Sequence, residues 1–334
     1  MTSTDLRKQF NIDLPIIMAP MFLVSDFNMV KAAMANGIIG TFPSLNYRSD
    51  DTLDEVLQSI NNEIKNSDNK GVFGINLIVQ RSNPYYKNHL KICVKHKVPF
   101  YITSLGNPKE VIEKAHEYGG KVYCDVTNLE HAQKVVELGA DGLIAVGQGA
   151  GGHAGPNPLQ LLIPALKKEF GDIPVIAAGG VSNGHSLLSV MILGADGASV
   201  GTRFIASEEA PVSEAYKQSI VDSKMDDIVM TERISGSPST VINTPYAKKI
   251  GYRQNAFERL LTKNRTIRKY FKMLVQVKGM KNLEKSVKPG SYKNLWIAGK
   301  SVEQIRKVLS TKEIIDKYKT EFLEAEKELK SKLF

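Results

Sequence analysis

The stretch Gly147-Gln148-Gly149-Ala150-Gly151-Gly152-His153-Ala154-Gly155 sets one functional side chain in a loop of small residues. Five of its nine residues are glycine, so its backbone can press against a flat ligand. The imidazole of His153 titrates near neutrality and can accept or deliver a proton there. A lone histidine is more often structural, but a second feature weighs on the side of chemistry. Residues 174–204, PVIAAGGVSNGHSLLSVMILGADGASVGTRF, read as strand, glycine turn, helix, strand, glycine turn. Gly179-Gly180 and Gly201-Thr202 then lie beyond the carboxyl ends of two neighbouring parallel strands. N–H groups unobstructed by a Cβ can hold a phosphate monoester there. Tight turns alone would explain one such pair; two matched ones favour phosphate. Asn76, inside the apolar run of strand three, needs partners for a buried amide, and a polar ligand would supply them. Asp125 ends strand five in the same way. His185 opens a helix as a cap or surface residue. His89, His96, His116 and His131 fall on outer helices remote from this face and are assigned no role.

The elements that must position these residues alternate regularly. Short apolar runs at 14–18, 38–42, 72–79, 99–103, 122–126, 141–146, 174–178 and 197–200 predict strands. Helical periods at 30–36, 53–64, 86–96, 108–118, 129–138, 158–170 and 185–193 separate them. Eight even units predict an α/β fold, a (β/α)8 TIM barrel, over a doubly wound open sheet. The rhythm stops after strand eight. Residues 211–290 carry 16 Lys/Arg against 7 Asp/Glu, an excess equal to the net charge of +9 of the whole chain. They predict a basic helical lid, with helices at 212–221 and 256–277 joined by SGSPSTVINTP. The barrel domain is then 1–210 with 291–334. LWIA at 295–298 and Gly299-Lys300 lead back to it, and 301–309 predict a delayed eighth helix. Ser310-Thr311-Lys312-Glu313 has the form of a capping box opening a last helix, 314–333.

Composition narrows the function classes. A chain of 334 residues with 42% hydrophobic content can bury one large core, and such barrels reach about 250 residues as a unit. No run of eighteen apolar residues occurs, and the opening MTSTDLRKQFNIDLP has no apolar signal core. The expectation is a cytoplasmic protein without a membrane partner. Cys93 and Cys124 occupy apolar positions and read as buried thiols; no zinc spacing, Walker loop or GxGxxG is present, so no metal is expected. Aromatic–basic interleaving is sparse in the basic stretch and no known motif appears there, so nucleic acid is not expected as a partner.

Six motifs in order, LPIIMAPM, FGINL, GAGGHAG, IAAGGVSNG, GADGASVGTRF and LWIAGKS, resemble the nitronate monooxygenase (2-nitropropane dioxygenase) family. The resemblance covers most of the barrel and is weak in 211–290. It implies an FMN barrel in which Gly180, Gly201 and Thr202 hold the phosphate, with Gly179, Ser199 and Val200 beside them. It also implies that Ala19, Pro20 and Met21 pass the isoalloxazine ring, that Asn76 bonds its polar edge, and that Gly151 lies close to it. His153 matches the catalytic histidine. The implied reaction oxidises an alkyl nitronate with molecular oxygen, without a nicotinamide. Asp125 stands where many members carry Lys, and Gly149 where many carry an acid; the first departure implies a lower flavin reduction potential. The flavin-dependent enoyl-acyl-carrier-protein reductases share the GGH loop and both phosphate turns. They imply NAD(P)H and an acidic acyl carrier protein as partners, which a basic lid would steer. A flavin-binding module without turnover is a third reading, and a homodimer stays open. An IMP-dehydrogenase-like barrel would need a cysteine in a mouth loop, and the loop after strand six has none.

Overall fold

A computed structural model describes residues 5–67, 70–80, 82–232, 238–253 and 294–333 of the chain. Eight parallel strands close a barrel: β1 (Ile16–Met18), β2 (Ile39–Pro43), β3 (Val72–Ile78), β4 (Phe100–Ser104), β5 (Lys121–Val126), β6 (Gly142–Val146), β8 (Val175–Ala178) and β9 (Gly197–Val200). Closure is direct, since Ile17 of β1 pairs with Ile39 on one side and Ser199 on the other. The fold is the TIM barrel expected of eight even units.

Alternation along the strands divides the core into two layers. Ile17, Ile39, Phe100, Ile102, Tyr123, Ile144 and Ile176 form one buried cluster, joined by Leu6 and Phe10 of a short helix, α1 (Leu6–Phe10). Phe10 packs edge-on against Phe100 at 5.1 Å between ring centroids and plugs the amino-terminal end of the barrel. The alternate residues pack outward on α2 (Phe27–Ala35), α3 (Asp50–Asn66), α4 (Tyr86–Lys95), α5 (Lys109–His116), α6 (Leu129–Glu137), α7 (Leu159–Glu169) and α8 (Gly184–Ile192). With its amino-terminal end plugged, the barrel leaves its carboxyl end for a site.

Two expectations need correction. Residues 301–309 do not form the eighth helix: Lys300–Gln304 is one 3₁₀ turn, and the chain then runs extended beside 206–209. Arg203 holds this course, its buried guanidinium donating to Ala206 O at 2.6 Å and Lys307 O at 2.8 Å. The eighth position is taken by the last helix, labelled α12 (Thr311–Leu333), packed against α8 and α2. Its start is the predicted box: Ser310 N–H and Oγ both donate to Glu313 Oε2 at 2.8 Å, and Glu313 N–H returns to Ser310 Oγ. Gly184 permits the close approach, because a Cβ there would stand 2.1 Å from Phe322 N.

The second correction concerns the insertion after β9 and α9 (Thr202–Ile205). Its described part is not wholly helical. It holds α10 (Glu214–Asp222), two strands β10 (Ile228–Thr231) and β11 (Ser239–Ile242), and α11 (Pro245–Ile250). β10 and β11 pair antiparallel, and β11 pairs in turn with β7 (Gly152–His153) of the glycine loop. IVMT and STVI are the β-branched runs that favour this, and the second lies in the segment read as a linker. The helix expected at 256–277 lies outside the described residues.

Candidate active site

The glycines of the first turn and of the histidine loop pack on one another. A Cβ on Gly179 (φ +112°) would stand 2.5 Å from Ala150 N, and one on Gly149 3.1 Å from Gly180 N. Gly151 and Gly299 are equally close, a Cβ on either falling 2.9 Å from the other's backbone nitrogen. These close approaches explain the glycines of three motifs far apart in sequence. Gly180 differs: at φ +79° its added Cβ would meet nothing within 4 Å, so its backbone faces open space. Thr202, in the first turn of α9, has an N–H without an intrahelical acceptor. Its hydroxyl accepts the Gly299 N–H at 3.0 Å and ties the LWIAGKS motif to the second turn.

This cradle lines a cavity of about 180 Å³ that also touches Ala19, Ser199, Gly201 and Ser301. A second cavity, of about 600 Å³, adjoins it and reaches Asn76, Leu105 and Tyr216. Pro20, Met21, Asp125, Gly151 and His153 line both. The structure therefore brings every predicted site residue but one to this pair of cavities. Val200 is the exception: its side chain is buried in the strand–helix layer, and only its carbonyl takes part, accepting the Ala19 N–H at 2.9 Å. His131 needs the opposite correction. It stands on the first turn of α6, and with Lys134 it lines the larger cavity, because that turn lies at the carboxyl end of β5.

His153 is held by the insertion. It pairs with Ser239 across β7 and β11, and Thr240 Oγ donates to Ala150 O at 2.7 Å. A loop of small residues is thus fixed by strand pairing with a segment more than eighty residues away. Desolvation disfavours the charged ring and lowers the His153 pKa from its ordinary value, which favours the neutral imidazole.

A family model described as nitronate monooxygenase matches residues 76–321. The chain belongs to the nitronate monooxygenase family. A probable nitronate monooxygenase of Staphylococcus aureus is 27% identical over 289 residues, covering 73% of this chain and 79% of its own. A (3aS,4S,5R,7aS)-5-hydroxy-7a-methyl-1-oxo-octahydro-1H-indene-4-carboxyl-CoA dehydrogenase of Mycobacterium tuberculosis is 29% identical over 249 residues, 74% of this chain and 68% of its own. Among solved structures, FabK from Thermotoga maritima superposes with a TM-score of 0.84 at 28% identity over 100% of both chains. Nitronate monooxygenase family membership makes the chain an oxidoreductase.

Within this barrel, Asn76 and Asp125 are linked through a residue that the sequence did not single out. Asn76 Nδ2 donates to Ile102 O at 3.1 Å and to Ser104 Oγ at 2.8 Å, and Ser104 Oγ donates to Asp125 Oδ2 at 2.5 Å. Ile102 O can only accept, which fixes the orientation of the amide. The Asp125 carboxyl faces cavity yet sits inside the mouth, and desolvation raises its pKa to about 6 against the opposing Ser104 bond. Asn46 was also missed. Its Oδ1 accepts the Leu23 N–H at 2.8 Å, and its Nδ2 donates to Met21 O at 3.1 Å and Ser25 O at 2.8 Å. One side chain thereby holds the loop that presents Pro20 and Met21. Nothing in the apolar periodicity signals a clamp across such a separation.

Proposed function

We propose that the chain is an FMN-dependent oxidoreductase that oxidises alkyl nitronates with molecular oxygen. The observation that carries this reading is the cradle at Gly180, continuous with the cavity that His153 lines. A phosphate fits backbone that faces open space at the ends of two adjacent strands, beside the unmatched N–H groups of α9. Gly180, Gly201 and Thr202 would hold it, with Gly179 and Ser199 alongside. Ala19, Pro20, Met21, Asn76 and Gly151 would surround the ring. Bound there, the flavin supplies one-electron oxidation of the nitronate and transfer to oxygen.

The chain's own residues do the rest. Neutral His153 takes a proton from the α-carbon of a neutral nitroalkane, or donates its N–H to an oxygen of the anion. Pro20 and Met21, fixed through Asn46, keep one wall rigid. Asp125, held by Ser104, sets the charge in the same cavity. Two buried free thiols, Cys93 and Cys124, accord with a reducing cytoplasm, and among the described residues no helix is long and apolar enough to cross a membrane.

The extent of the larger cavity favours a second reading, an enoyl-thioester reductase using FMN and NAD(P)H, since its lining runs on to Leu105, Pro108 and Val135, beyond the residues that would surround the ring. Anaerobic mixing separates the two. Bleaching of a yellow protein by a nitronate, and not by NADH or NADPH, supports the first; rapid bleaching by a nicotinamide supports the second. A protein that is colourless and binds no added FMN overturns both.

A further inference from the structure

Loop β4–α5 holds a leucine in a conformation that leucine rarely takes. Leu105 has φ +57°, in the left-handed region usually left to Gly, Asn and Asp, and its side chain is 50% exposed. The backbone there is anchored on both sides. Val79 N–H donates to Ser104 O at 3.0 Å, and Gly106 (φ +154°) lies so close to β3 that a Cβ on it would stand 2.8 Å from Val79 O. Ser104 is also the residue bonded to Asp125. The loop therefore carries a large apolar side chain at a fixed place on the wall of the larger cavity.

The larger cavity has two ends. Its inner end is walled by residues shared with the phosphate cavity, among them Met21, Asp125 and His153. Leu105, Pro108 and Val135 line only the larger cavity. The charge at this end already has a partner, since Lys134 Nζ stands 2.6 Å from Glu130 Oε1. Left-handed backbone for a leucine has no local justification where asparagine or glycine would serve, so the side chain itself is the reason to look for function. An apolar group laid against it would leave water on both sides.

We infer that the outer end seats an uncharged, extended apolar group of the substrate, and that Leu105 sets how much of that group is gripped. The inference rests on the oxidoreductase reading above and deepens it: the substrate is a long-chain carbon acid, reacting at the His153 end.

Two measurements test it on the full-length protein. The first is kcat/KM for the anions of unbranched 1-nitroalkanes from nitroethane to nitrooctane. The second is calorimetric titration with 1-butanol, 1-hexanol and 1-octanol, which needs no turnover. Both quantities should climb roughly fourfold per added methylene until the end is filled. In Leu105→Asn and Leu105→Gly, which suit a left-handed backbone, the climb should fall below about twofold per methylene. A parent with no chain-length dependence, or variants with the parent's slope, would overturn the inference. So would variants that change only the oligomeric state, since Leu105 would then face a second copy of the chain. If no nitronate is oxidised at any length, the reaction proposed above fails, and the alkanol titration still decides the role of Leu105.

Discussion

Ser104 Oγ donates to Asp125 Oδ2 at 2.5 Å, joining the ends of β4 and β5 inside the barrel mouth. The carboxyl nonetheless titrates near 6, above its ordinary 3.8, because desolvation outweighs that bond. The folded state therefore holds this proton more tightly than the unfolded one. The stabilisation is complete below pH 3.8 and is lost as pH rises through 6. Asp125→Asn should be more stable than the parent at pH 8, by about 1 kcal/mol once cavity water is allowed for, and the gap should shrink at pH 5. Urea melts at the two pH values measure it. A gap that widens on acidification would contradict the assignment.

Charge at the same position bears on the flavin reading. Asp125→Lys should raise the reduction potential of bound FMN, on the order of 50 mV, by favouring the reduced anion. A photometric titration reads this directly, and an unchanged potential would remove Asp125 from the neighbourhood of the ring.

Gly179 and Gly180 are adjacent and should respond differently. A Cβ on Gly179 collides with Ala150 N at 2.5 Å, so Gly179→Ala should cost at least about 2 kcal/mol of stability. A Cβ on Gly180 meets no protein atom within 4 Å. Gly180→Ala should therefore fold, with about 1 kcal/mol of left-handed strain, while FMN affinity falls roughly thirtyfold as a phosphate contact is lost. Thermal melts and fluorescence titration with FMN distinguish the two outcomes.

Asn46 makes three hydrogen bonds to the 21–25 loop. Asn46→Ala should cost about 3 kcal/mol in urea melts, near 1 kcal/mol for each bond, and should weaken FMN binding because Pro20 and Met21 lose their support. Normal FMN affinity in a destabilised variant would confine Asn46 to folding.

His153→Asn should bind FMN and lose at least about a hundredfold in kcat/KM for neutral nitroalkanes, the low end of general-base effects. The protein environment holds the His153 pKa below 6.5. The acid limb of the parent's pH profile should accordingly lie on the acid side of the one an ordinary imidazole gives. A limb with its midpoint at or above 6.5 would mean that the ring is not desolvated in the working enzyme.

Much of this site was legible before any coordinates. The barrel follows from the alternation of apolar runs, because parallel strands buried on both faces need continuous hydrophobic stretches and each crossover needs a helix. Gly179-Gly180, Gly201-Thr202 and the histidine loop follow from chain order, since each comes directly after a strand and so at the same end of the barrel. Residues joined by local rules were found by local rules. Ser104, Asn46 and Thr240 were not, because each acts through one side-chain hydrogen bond or clamp to a backbone or carboxylate distant in sequence. His131 was misplaced because helical period reports which face is apolar and not which end of the helix meets the mouth. That the final helix takes the eighth position was hidden for a similar reason: the segment before it is held beside 206–209 by contacts distant in sequence, Arg203 to Lys307 O among them. Spacing thus determined which residues share an end of the barrel, and only tertiary packing decided which of them touch, since short-range polar contacts leave no period in a chain.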